Sequence, residues 1–114
     1  MKMSWTRIAK ATVGAAAALV LGFAIIPANA QDTAAALYKT KCAACHGADG
    51  KGETAVGKVN KVRDLGSPEV QQQSDTDLTA VITGGKGKMP AYGKSLKPDQ
   101  VKDLVAYIRT LAKK

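Results

Sequence analysis

The sequence predicts an all-α fold, a few short helices wrapped around a group that the chain itself does not supply. Three observations lead there. Cap residues and apolar spacings mark out helices, while no segment reads as a strand. The stretches between them are rich in glycine. And the part expected to fold is short of large apolar side chains, with only 15 Leu, Ile and Val and no Phe among residues 31–114. A chain with fewer than about a fifth of such residues and a notable net charge lies near the disordered class. A domain of this size is marginal even with an ordinary core, so a staple or an added group must supply core volume.

At 114 residues the chain has room for one domain. Residues 1–30 are expected to fall outside it. Lys2, Arg7 and Lys10 give a basic start, Ala11 to Ile26 is an apolar run, Pro27 breaks it, and Ala28-Asn29-Ala30 is a small-x-small cleavage site. That is the pattern of a secretory signal peptide cut after Ala30. The run is short for a membrane span, which needs about 20 apolar residues; a retained anchor is the alternative. Cleavage would remove three of the 17 basic residues and none of the nine acidic ones, leaving a formal charge of +5 on residues 31–114.

The helices follow in order. Asp32 and Thr33 are placed to cap a helix through Ala34 to Tyr38 toward Cys42. Gly47 to Gly57 reads as loop. Ser67 before Pro68 reads as a cap with proline at the first helical position, opening a short helix through Gln73. Ser74 or Asp75 starts another, with Leu78, Val81 and Ile82 on one side and Gly84-Gly85 as its stop. Gly84 to Gly93 is again glycine-rich loop. Pro98 opens the last helix, whose Val101, Leu104, Val105, Ile108 and Leu111 recur at spacings of three and four. Lys113 and Lys114 suit the negative end of its dipole.

The motif with chemistry is Cys42-Ala43-Ala44-Cys45-His46. A Cys-x-x-Cys-His run reads as c-type haem attachment: two cysteines three apart each reach one vinyl group to form a thioether, and the adjacent histidine lies under the iron. Other readings fit less well. A thioredoxin-like pair wants a parallel sheet. A zinc site wants further ligands, and His46 is the one histidine in the chain. A local disulfide closes almost no loop. Met89, the one methionine in residues 31–114, sits in Gly84-Gly85-Lys86-Gly87-Lys88-Met89-Pro90. Its sulfur suits the sixth iron position, since His/Met pairs ligate cytochromes c. Gap-filling core and an open sixth site remain the alternatives.

Cys42 to Gly47, Gly84 to Tyr92 with its Met-Pro, and the closing Leu104-Val105-Ala106-Tyr107-Ile108-Arg109 together resemble a class I monohaem cytochrome c of the short bacterial type. The resemblance covers residues 31–114 nearly end to end. It implies a small cytochrome c fold: first and last helices crossing, one covalently attached haem c with its iron in a crevice, and Ala34 and Tyr38 meeting the last helix near Tyr107. It implies thioethers at Cys42 and Cys45 and axial ligation by His46 and Met89. One departure stands out: no proline lies between His46 and Pro68 to place the carbonyl that accepts the histidine's second N–H. The stretch Lys61 to Arg63 is the substitute expected, and Arg63 is a candidate partner of a haem propionate or a plain surface arginine.

The expected function is an exported, monomeric one-electron carrier in the periplasm or another extracytoplasmic space, not an enzyme. Its partners would be redox proteins. The alternatives are a dedicated redox subunit of a periplasmic dehydrogenase, and an open-site ligand-binding or peroxidase-type haem protein. Lys39, Lys41, Lys86, Lys88 and Lys94 flank the two motifs and would favour partners with acidic docking surfaces. Export and the lack of a basic-aromatic stripe argue against nucleic acid.

Overall fold

The computed structural model describes residues 29–113, together with residues 14 and 22. The expected signal segment lies almost wholly outside the described residues. Among the described residues six helices follow one another: α1 (Asn29–Lys41), α2 (Ala43–His46), α3 (Ala55–Val59), α4 (Pro68–Gln71), α5 (Asp75–Gly84) and α6 (Pro98–Thr110). Among the described residues there is no strand, only an isolated bridge between Lys86 and Met89.

Three of the helices begin where the sequence says. Ser67 caps α4 by accepting from the Val70 N–H, with Pro68 at the first turn. Ser74 caps α5 by accepting from the Asp77 N–H. Pro98 opens α6, and the Gln100 side chain reaches back to accept from the Lys97 N–H at 2.9 Å. Each device satisfies backbone groups that a helix end leaves free.

Three expectations need correction. α1 is already helical at Asn29, where the continuous described stretch begins, so Asp32 and Thr33 lie inside it and not at its cap. α4 stops at Gln71, two residues early. The supposed loop up to Gly57 contains α3, capped by Thr54, whose hydroxyl accepts from the Gly57 N–H at 2.9 Å.

The frame is α1 and α5 packed on α6. α1 presents Ala34 and Tyr38, four residues apart and both buried. The Tyr38 ring lies against Tyr107 of α6, centroids 4.9 Å apart and tilted by 43°, as the resemblance implied. Such aromatic pairs add about 0.5–1.5 kcal/mol beyond their burial. α6 buries Val101, Leu104, Val105 and Ile108, and α5 buries Leu78 and Ile82.

Arg109 pins the helices together. Its guanidinium donates to the Gln71 carbonyl at 2.8 Å and the Gln73 carbonyl at 2.6 Å, and pairs with Asp75 at 2.7 Å. The first two are carbonyls at the end of α4, and the third is the start of α5. Beyond α6, the Lys113 N–H donates to the Gly66 carbonyl, and its ammonium lies 2.8 Å from Asp64. That contact holds the Asp64 carboxyl below its ordinary range.

Candidate haem site

A cavity of about 360 Å³ opens beside this frame. Leu65, Val70, Leu78, Ile82, Leu104 and Ile108 form apolar wall. Cys42, Cys45 and His46 enter from the α1–α2 corner, and Met89 enters from the segment after α5. The four side chains singled out in the sequence therefore share one cavity, each of them half-buried.

The cysteine corner is held from below. The Cys42 N–H donates to the Tyr38 carbonyl and the His46 N–H to the Cys42 carbonyl, so helical bonding carries on from α1 through Cys42 into α2. The Tyr38 hydroxyl donates to the Gly47 carbonyl at 2.7 Å. The Thr54 hydroxyl donates to the Cys45 carbonyl at 3.0 Å, and the Gly52 N–H to the His46 carbonyl at 2.7 Å. Gly57 then closes against the same corner: a Cβ there would strike the backbone carbonyls of Cys45 and Gly52. Only glycine permits so close an approach.

Burial pushes the Cys42 thiol up to about 11, with Cys45 beside it adding to the shift. Burial also lowers the His46 imidazole from its ordinary value, which favours the neutral form that binds metals. The Nδ1 atom of His46 is buried with no hydrogen-bond partner. The stretch Lys61 to Arg63 lines the cavity but supplies no acceptor for it. The Val62 carbonyl faces Gly52 instead, where an added Cβ would come within 2.6 Å of it. Leaving Nδ1 unpaired costs roughly 1–3 kcal/mol; it is the nitrogen for which the 61–63 carbonyl was expected, and Nε2 is the one left for a metal. Two thiols, an unpartnered imidazole and a thioether around an apolar cavity fit a flat apolar macrocycle with a central iron.

The methionine segment is a hairpin on the end of α5. Lys86 and Met89 exchange backbone bonds of 3.2 and 2.9 Å, closing the turn. Tyr92 and Gly93 donate back to the Ile82 and Thr83 carbonyls. Gly85, at φ 72°, starts the segment, and a Cβ there would lie 2.7 Å from the Met89 carbonyl. Tyr92 also lines the cavity, and its hydroxyl donates to the Lys41 carbonyl at 3.0 Å.

Some of this was not visible in the sequence. Gly57 and Tyr92 carry no motif of their own. Thr54 was the available signal for α3, as an N-cap type three residues before the glycine it bonds. Arg63 lines the cavity and pairs with Glu69 at 2.9 Å on the exposed side.

Fold and site together define a c-type haem protein: short helices, an apolar crevice, and a Cys-x-x-Cys-His corner at its edge. Comparison with known proteins agrees. The family model described as cytochrome c oxidase, cbb3-type, subunit III matches residues 29–108. A cytochrome c6 of Gloeothece citriformis is 35% identical over 104 residues, 86% of this chain and 89% of that protein. The cbb3-type cytochrome c oxidase subunit CcoP of Rubrivivax gelatinosus is 38% identical over 97 residues, 82% of this chain but 30% of that longer protein. Among solved structures, the c-type cytochrome KustC0563 superposes with a TM-score of 0.66 at 32% identity, covering 70% of this chain and 98% of that one. The chain belongs to this family, as a small class I monohaem cytochrome c. It carries haem c with its iron, attached covalently, and is a haem electron carrier rather than an enzyme.

Proposed function

We propose that the protein is an exported carrier of single electrons between redox proteins in the periplasm or an equivalent compartment. Cys42 and Cys45 hold the haem as thioethers, and His46 and Met89 are the axial iron ligands. The observation that carries this reading is the convergence of His46 and Met89, from separate elements, on one apolar cavity beside the two cysteines. Haem c supplies a reversible Fe(III)/Fe(II) couple. The residues around it decide how that couple is used. With both axial positions taken by side chains, no position is open to a substrate. Methionine ligation and apolar walls favour the reduced state.

Lys41, Lys61, Arg63, Lys86 and Lys88 are exposed and also line the cavity, so its mouth is framed in positive charge. Lys39 and Lys94 are exposed but stand outside the lining. Such a rim steers encounter with acidic surfaces, over a screening length of about 10 Å at 0.1 M salt. Electron transfer to an acidic redox protein should therefore slow about tenfold or more between low and high ionic strength. Stopped-flow kinetics across a salt series checks this; a flat response removes the steering role.

Export rests on the sequence of residues 1–30. No helix among the described residues is long and apolar enough to cross a membrane. N-terminal sequencing of the exported protein is expected to start at Gln31; an intact Met1 would mean a retained anchor.

A further inference from the structure

We propose that Tyr92 is a positioning residue for the axial methionine: its hydroxyl, bonded to the Lys41 carbonyl, ties the Met89 segment to the end of α1 and sets how readily Met89 leaves the iron. The inference rests on the reading of Met89 as a ligand.

The placement of hydrogen bonds is the reason. Residues 85–93 project from the end of α5, and their other bonds return to α5 or close turns within 86–96. Those bonds fix the root of the hairpin but do not resist its swinging away from the cavity. The Tyr92 bond does, because it spans 51 residues of sequence to a different helix. Its acceptor belongs to the last turn of α1, where carbonyls lack partners inside the helix. That carbonyl immediately precedes Cys42, the first cysteine of the haem motif. Tyr92 and Lys41 both line the cavity, so the bond links the wall that carries the cysteines to the wall that carries the methionine. Met89 cannot swing clear with its segment while the bond holds. Losing it lowers the cost of that motion by roughly the net value of one hydrogen bond.

The test is imidazole titration of the ferric holoprotein, followed by absorption, because imidazole competes with Met89 for the iron. Tyr92→Phe keeps the ring and removes only the hydroxyl. It is expected to raise imidazole affinity about fivefold. In a Met89→Ala background affinity is high already, and Tyr92→Phe is expected to add nothing, a coupling that a double-mutant cycle reads directly. Thr83→Ala removes the Thr83 hydroxyl bond to the Thr79 carbonyl at the root of the same segment and should leave affinity within about twofold. If Tyr92→Phe leaves affinity unchanged while Met89→Ala raises it, the tether is wrong and the ligand reading stands. If Tyr92→Phe acts equally in both backgrounds, or no more than Thr83→Ala, its effect is general softening and the tether is again overturned. If Met89→Ala leaves affinity unchanged, Met89 is not the ligand and both readings fall.

Discussion

A Cys42→Ala/Cys45→Ala variant, or the protein before haem attachment, is expected to lose most of its native helix. Among the described residues the longest helices, α1 and α6, span 13 residues each, and isolated helices of about 12–15 residues or fewer are marginal in water. What stabilises them is packing, and much of the packing surface faces the cavity. Val70, Leu78, Ile82, Leu96, Leu104 and Ile108 all belong to the buried core and all line that space. Without the haem this space is an open crevice that water enters, and its apolar walls lose the group they pack against. Small proteins have a total stability of about 5–15 kcal/mol. Far-ultraviolet circular dichroism checks the outcome. A haem-free variant with native helix content and a cooperative melt would mean that the side chains alone make a sufficient core.

Gly57→Ala is expected to be nearly as damaging, although it removes nothing. The added methyl would collide with the carbonyls of Cys45 and Gly52. Both are backbone, and both belong to the bonded corner that holds the haem motif, so neither can yield without moving Cys45 or His46. Overpacking a tight site costs about 1–3 kcal/mol, occasionally more, and the upper end is expected here. Gly84→Ala is the control. It lies at the end of α5 with nothing within 4 Å of the added Cβ, and alanine suits a helix better by about 0.5–1 kcal/mol. Urea unfolding of the two holoproteins should separate them by several-fold in midpoint shift, with opposite signs. Equal behaviour would show that α3 does not brace the haem corner.

These two cases also show what the sequence could disclose. α4, α5 and α6 were legible because their ends are chemically marked: Ser67 with Pro68, Ser74, and Pro98 each serve the backbone locally. Cys42, Cys45, His46 and Met89 stood out as candidates because their side chains are rare in this chain and have few other uses, and the structure brings them to one cavity. α3 was not legible, since Gly57 and two β-branched valines argue against a helix and the reason for Gly57 is a contact with Cys45. The cap expected at Asp32 or Thr33 was not found, because the helix already runs through both. The carbonyl expected for His46 in the 61–63 stretch was not found there, because the Val62 carbonyl is turned to Gly52. The Tyr92 bond joins residues far apart in sequence, and no local pattern marks it.

The ferric absorption spectrum of the purified holoprotein, compared with that of Met89→Ala, tests the central claim most directly. Low-spin six-coordinate iron is expected in the wild type, with the weak long-wavelength band of an iron–methionine bond. That band should vanish in Met89→Ala, while the haem stays covalently bound through Cys42 and Cys45. A wild-type spectrum of high-spin five-coordinate iron, unchanged by Met89→Ala, would contradict it: the cavity would then hold an open haem site and not a closed electron carrier.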